Sequence, residues 1–338
     1  MIKKVILTLV ISLLLYLGYH FKSLIYGLQQ AKGQAEVLWN AEEIESLVQN
    51  PNFPDSTKAK FDFIQQVRKF AQEEIGLAES ENYTTFYDQK GKPILWVVTA
   101  SPEFKIEAYE WDFPIAGNFS YKGFFNLAKA KAESEKLQKM GFDTEIDEVN
   151  AWSTLGWFRD PILSSMLNKK EGRLAELIIH ELTHATIYIK NDVQFNENLA
   201  TFIGRKGAEL FLRKTYGPAT KELSDYQLTL ERKELFKKWV WQSKQKLDSL
   251  YNSFSSTLST EEKRRLKSQA LLECKNQLML SNYYSDSLEA TKRLEAFKPN
   301  NAFFSGVSTY HAEQDNFDQK LQDEFNGNLK AFVASFVN

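Results

Sequence analysis

The stretch Leu174-Ala175-Glu176-Leu177-Ile178-Ile179-His180-Glu181-Leu182-Thr183-His184-Ala185 decides how this chain is read. Leu174, Leu177, Ile178, Ala185 and Tyr188 recur at helical spacing and predict a buried stripe, with Asn191-Asp192 ending the helix. At about 3.6 residues per turn and a rise of about 1.5 Å, His180 and His184 stand on one face, about 6 Å apart along the axis. Two imidazoles so placed converge on one ion, with zinc–nitrogen bonds of about 2 Å. Glu181 falls beside that face. From there it reaches a water on the metal without being a ligand, which is what a general base for peptide hydrolysis must do. The chain holds only 4 histidines. With two of them in this pattern, a chance match is rare.

A catalytic zinc takes three protein ligands and leaves a fourth position open. Of the remaining histidines, His20 adjoins an apolar amino-terminal segment and His311 lies far along the chain. Glu197, in Phe195-Asn196-Glu197-Asn198-Leu199-Ala200-Thr201, is the better third ligand, because an antiparallel return of the next helix brings it to the metal. The structural alternative is a first-turn carboxylate favoured by the helix dipole. Thr201, one turn on, is placed to orient a ligand histidine.

Around this motif the sequence predicts a mostly helical α+β fold. Asn82–Tyr87 and Pro93–Thr99 have strand character and flank Asp88–Lys92, a hairpin loop, and Phe104–Phe113 continues the sheet. Tyr121–Met140 reads as a helix closed by Gly141, and Asp143–Leu155 as extended. Asp160-Pro161 suits the cap and first turn of a short helix. Long helices are expected at Arg173–Lys190, Glu197–Lys214, Lys221–Ser253, Thr260–Ser281 and Asp318–Phe336.

Lys3 and Lys4 precede the apolar run Val5–Tyr19, whose character extends to Phe21. No small-x-small cleavage site follows, so residues 1–23 are expected to form an uncleaved membrane anchor with the amino terminus inside. Residues 24–338 then form one extracytoplasmic (periplasmic) domain, mixed over 24–160 and helical over 161–338. With 42 basic and 44 acidic residues the chain has no electrostatic case for binding nucleic acid. Lys169-Lys170 and Lys263-Arg264-Arg265 read as solvated helix faces. The single cysteine, Cys274, excludes an intramolecular disulfide and reads as a small buried apolar residue.

Several further segments, taken with the motif, carry a resemblance. They are Tyr26–Gly33, Trp111–Gly117, Tyr121–Phe125, Ser153–Phe158 with Asp160-Pro161, Asn196-Glu197, and Asn300-Asn301-Ala302 leading to Thr309-Tyr310. The chain resembles the bacterial Putative aminopeptidase family of membrane-associated zincins over roughly residues 24–330. The resemblance implies a zincin-like fold of gluzincin type, a bound Zn2+ held by His180, His184 and Glu197, and a peptide substrate. It also implies that Tyr310, preferred over its neighbour His311, donates to the oxyanion of the reaction. In gluzincin-like folds an edge strand pairs with the substrate backbone, and Asn150–Leu155 is the candidate here, beside the reading of an ordinary strand. Two features depart from the family. No lipoprotein cysteine is present, and Asp112 and Asn118 stand where many members carry paired cysteines.

The leading expectation is therefore a zinc peptidase with Glu181 as general base. The word aminopeptidase comes from the family's name alone, since the Gly-x-Met-Glu-Asn exopeptidase motif is missing, and endopeptidase action stays open. The competing expectation is a non-catalytic envelope protein with a structural or vestigial metal site, against which the intact Glu181 argues.

Overall fold

The computed structural model describes residues 3, 4, 6, 18, 20–113, 117–149, 158–190, 192–281, 288–307 and 314–337. Helix α1 (Phe21–Trp39), strand β1 (Glu42–Glu43), and helices α2 (Ile44–Gln49) and α3 (Asp55–Phe70) lead into β2 (Thr85–Tyr87) and β3 (Leu95–Pro102). Next come β4 (Trp111–Phe113), β5 (Gly117–Phe119), β6 (Lys122–Phe124), α4 (Leu127–Lys139), β7 (Phe142–Val149) and β8 (Ile162–Leu163). The remainder is helical: α5 (Glu171–Thr186), α6 (Val193–Tyr216), α7 (Lys221–Asn252), α8 (Thr260–Leu280), α9 (Leu288–Ala296), α10 (Asn301–Val307), α11 (Gln314–Phe325) and α12 (Leu329–Ala334). The fold is a mostly helical α+β arrangement with small sheets.

The described strands sort into three sheets, ordered β1-β2-β8, β6-β3-β7 and β4-β5, and this sorting corrects the expected hairpin. β2 and β3 do not pair: β2 runs parallel to β8, while β3 lies antiparallel between β6 and β7. The diversion is made by partners far along the chain. The Gln89 amide N–H donates to Ser164 Oγ at 3.0 Å, and the Ser165 N–H donates to Gln89 Oε1 at 2.9 Å. Asp88–Lys92 is thus tied to the end of β8 instead of folding back on β2. Within Phe104–Phe113 only Trp111–Phe113 is a strand, and it pairs with β5 in a sheet of its own. There Asp112 faces Asn118 directly across the ladder. The predicted helix over Tyr121–Met140 begins later, because Asn126 caps it by accepting from the Lys129 N–H, and residues 122–124 join β3 as β6. After Asp160-Pro161 the chain forms β8 and a 3-10 turn (Ser164–Asn168) where a short helix was expected.

Among the described residues no helix is long and apolar enough to cross a membrane. The expected anchor lies mostly outside them.

The largest hydrophobic cluster draws residues from Val37 through to Val333, so the early helices, α5, α6 and the carboxyl-terminal helices share one core. At its centre α5 and α6 run antiparallel and very close. A β-carbon on Gly204 would lie 2.9 Å from the Glu176 carbonyl oxygen and 3.1 Å from His180 Cβ. On Gly207 it would lie 2.6 Å from Ile75 Cδ1. The first contact is with backbone and cannot be relieved by a side-chain rotation. Gly204→Ala is therefore expected to lower unfolding free energy by roughly 1–2 kcal/mol in urea titrations, overlap outweighing the gain in helix propensity. Gly27 in α1 meets nothing within 4 Å. Gly27→Ala should instead be neutral or stabilising by up to about 1 kcal/mol.

Candidate metal centre and adjoining cleft

Helix α5 is fixed before its functional residues come into play. Glu171 in the first turn suits the helix dipole, and Leu174, Ala175, Ile178, Ile179 and Leu182 are wholly buried. Tyr188 is not part of this stripe. It lies beyond the helix end and is 53% exposed. One turn before His180, the buried Glu176 accepts from Tyr226 Oη and Lys233 Nζ, each at 3.0 Å, and pairs with Arg173. These bonds lock α5 to α7, and the charges offset the cost of burying a carboxylate.

The turn into α6 is equally constrained. Asp192 caps α6 by accepting from the Phe195 N–H at 3.0 Å. The buried side chain of Asn196 grips the turn from within: Oδ1 accepts from the Ile189 N–H at 2.8 Å and Nδ2 donates to the Ile189 carbonyl at 2.7 Å. Helix α6 thus starts at Val193, and Glu197 lies in its second turn facing back onto α5.

The structure brings His180, His184 and Glu197 together, with one donor atom of each within 4.8 Å of the others. The two Nε2 atoms are 3.1 Å apart, His180 Nε2 is 3.5 Å from Glu197 Oε2, and His184 Nε2 is 3.4 Å from Glu197 Oε1. Tetrahedral zinc with bonds of about 2.0–2.1 Å requires ligand separations of about 3.3–3.4 Å. The three donor atoms fit that spacing. The donor set, two imidazoles and a carboxylate, is also that of catalytic zinc. Electrostatics agree with a carboxylate poised to bind a cation. Burial works to raise the Glu197 carboxyl, but hydrogen bonds and charge from the two histidines outweigh it and bring the pKa down to about 2. Burial likewise works to lower His180, and the bond to Glu197 with the charges of Glu181, Glu197 and Glu176 raises it overall.

The model of a family described as Putative aminopeptidase matches residues 25–338. The chain belongs to this family. Comparison with curated proteins and with solved structures gives no match.

The other residues singled out from the sequence fare differently. Glu181 is half-buried beside His180 and, among the described residues, makes no hydrogen bond or ion pair. Its charge reaches Tyr83, whose hydroxyl is pushed well up first by complete burial and then by Glu181 and Asp160. Tyr83 also adopts a left-handed backbone, φ 64°, held by its N–H to the Asp160 carbonyl at 2.7 Å and by Gln65 Nε2 on its own carbonyl at 2.9 Å. Nothing in the motif pointed to Tyr83. Thr201 donates no hydrogen bond to either imidazole, so the orienting role expected of it is not observed; His184 Nδ1 is buried without a partner among the described residues. Tyr310, His311 and the proposed substrate-pairing strand Asn150–Leu155 lie outside the described residues.

A cleft of about 580 Å³ adjoins the candidate metal centre at Glu197 in this family member. Glu197, Val193 and Gln194 form its α6 wall; Val97, Thr99 and Asp147 form its sheet wall; Tyr121, Phe119 and α10 complete it. Partial burial, and then the charge of Glu197, raise the Tyr121 hydroxyl. Helix α10 is seated here by the Asn300-Asn301 pair. Asn301 Nδ2 donates to the Pro102 and Glu103 carbonyls, its N–H to Asp143 Oδ2, and its Oδ1 accepts from Tyr251 Oη at 2.7 Å. Asp143 is itself held by Lys267 at 2.6 Å.

In metal-free protein the His180 imidazole should titrate above the ordinary value of 6.5. In Glu197→Gln the bond and charge of Glu197, the first of them the largest upward influence, are lost, so the midpoint, followed by NMR of the imidazole Cε1–H, should fall. An unchanged midpoint would contradict the geometry.

Proposed function

We propose that this protein is a zinc-dependent peptidase of gluzincin type, with a zincin-like catalytic fold, and that His180, His184 and Glu197 hold the metal. The single observation that carries the proposal is the convergence of their donor atoms at 3.1–3.5 Å. Membership of a family whose name denotes peptidases supports it. When bound, a zinc ion with three protein ligands and one open position supplies Lewis acidity toward water and a peptide carbonyl. The remaining chemistry belongs to the chain. Glu181, adjacent to a ligand yet off the ligand face and free of other bonds, accepts a proton on its carboxylate from the attacking water. It then returns that proton to the nitrogen of the leaving amine. The Tyr310 hydroxyl donates to the carbonyl oxygen as charge develops there, a role that rests on the family resemblance. The apolar run Val5–Tyr19 tethers the domain to the membrane, on its extracytoplasmic side, as the flanking Lys3 and Lys4 favour.

A base at position 181 separates this proposal from a structural metal site, which has no use for one. Glu181→Gln protein should keep the wild-type zinc content and lose peptide hydrolysis by about a hundred- to ten-thousand-fold. If the variant cleaves peptides as fast as wild type, or if zinc-loaded wild type cleaves none, the proposal fails.

A further inference from the structure

Helix α1 is docked on the domain by one side alone. Tyr26 Oη donates to the Gly123 carbonyl at 2.9 Å, and Gln30 Nε2 donates to the same oxygen at 3.1 Å. The Tyr26 ring stacks on Phe113 with centroids 5.3 Å apart, Val37 is buried, and a β-carbon on Gly33 would run into the Phe125 ring. At about 100° per residue these four positions gather on one side of the helix. Phe21, Ile25, Leu28, Lys32 and Trp39 gather on the other, in an arc about 60° wide. There Phe21 is 61% exposed, Leu28 68% and Trp39 89%, and Ile25 is exposed as well. Lys32 on this face pairs with its neighbour Glu36 at 3.6 Å, so the stripe carries no net charge. The chain turns at His20, whose φ of -93° and ψ of 11° lie outside the helix, and the apolar run Val5–Tyr19 ends two residues before Phe21.

We propose that this face of α1 lies flat on the lipid surface and fixes how the domain sits over the bilayer. The inference rests on the membrane tether proposed above and goes beyond it, since a tether alone holds the domain near the membrane without orienting it. Chain continuity names the lipid surface. Consecutive α-carbons are about 3.8 Å apart, so Phe21 starts within about 8 Å of the tether's end. From there α1 runs about 28 Å, at about 1.5 Å per residue. Standing upright, it would leave Leu28 and Trp39 in water. Lying flat, it puts all four apolar side chains at one level, with the tryptophan in the interfacial zone that suits its amphipathic ring. Lys32 carries its ammonium group out to the headgroups on an apolar stem. A second copy of the chain is the competing occupant, because Phe21, Ile25, Leu28, Lys32, Ala35 and Trp39 follow the three- and four-residue spacing of a heptad. Lys32 and the small Ala35 decide against it, since they fall in the seam where such a pair needs bulky apolar side chains. The consequence reaches the cleft. Gly123, which holds α1, is two residues from Tyr121 of the cleft wall, so a flat α1 sets the cleft at one angle to the membrane.

The test uses full-length protein in vesicles of phosphatidylethanolamine and phosphatidylglycerol. Nitroxides are placed on Leu28→Cys, on Trp39→Cys and, as a water reference, on Ser256→Cys in the turn after α7. All three positions are exposed, so the substitutions spare the core. The single native cysteine is buried, and unsubstituted protein is the labelling blank. Collision rates with oxygen, which enters lipid, and with a water-soluble nickel chelate give the depth of each label. The labels at 28 and 39 should both lie about 5–10 Å into the boundary between headgroups and acyl chains, and the label at 256 in water. Adding Leu28→Glu should return the label at 39 to water, which mere nearness to the surface would not produce. Labels at 28 and 39 that meet the chelate as freely as the one at 256, in protein that stays with the vesicles through a carbonate wash, overturn the inference and leave the tether standing. Labels hidden from both reagents and broadened by one another place a second copy on this face and also overturn it. Protein that washes off the vesicles removes the tether, and the inference with it. Peptide hydrolysis is read separately, and neither result depends on it.

Discussion

The close contact of α5 with α6 is the constraint on which the rest depends. A carboxylate and two imidazoles are set into a largely apolar surround, and each would be expensive to bury alone. Their mutual approach at 3.4–3.5 Å offsets that expense, and the approach requires helix axes closer than ordinary side chains allow. Gly204 and Gly207 supply the missing volume, one against the Glu176 carbonyl and the other against Ile75 and Ile179. Asn196 fixes the turn so that Glu197 emerges on the facing side. The bonds of Glu176 to α7 hold α5 still one turn before His180. A metal site needs donors fixed to within a fraction of an ångström, and packed helices provide that better than loops.

The cleft has a different origin. Its sheet wall exists because β3 pairs with β7 along eight residue pairs, and its roof because Asn300 and Asn301 clasp α10 onto that sheet. The candidate metal centre and the cleft thus come from two separate packing arrangements that meet at Glu197. One provides the two histidines and the glutamate; the other sets what lies beside them.

What the sequence revealed divides along the same line. The motif helix, its two histidines and Glu197 were legible because helical periodicity is local and a four-residue spacing dictates a face. The long carboxyl-terminal helices were legible for the same reason, although Asn326 and Gly327, both with positive φ, divide the last into α11 and α12. The sheet was not. β2 and β3 look like a hairpin locally, and only the distant bonds between Gln89 and Ser164–Ser165 send them to different sheets. Tyr83 and Asp147 were missed for the same reason, since their proximity to the site depends on pairings far apart in sequence. The segment Asn300-Asn301-Ala302 was noticed through family resemblance, but its work as a clasp on Asp143 and Glu145 appears only in three dimensions. Thr201 shows the opposite failure: helical spacing suggested a bond to a histidine that the packing does not make.

The central claim is that His180, His184 and Glu197 form one metal site. Its most direct test is the zinc content of purified full-length protein, wild type against His184→Ala and Glu197→Ala, with folding checked by thermal melting. The account predicts one zinc per chain in wild type, none retained after removal of His184, and much weaker retention after removal of Glu197. Zinc-free wild-type protein that cannot be loaded, or full retention in both folded variants, would contradict it.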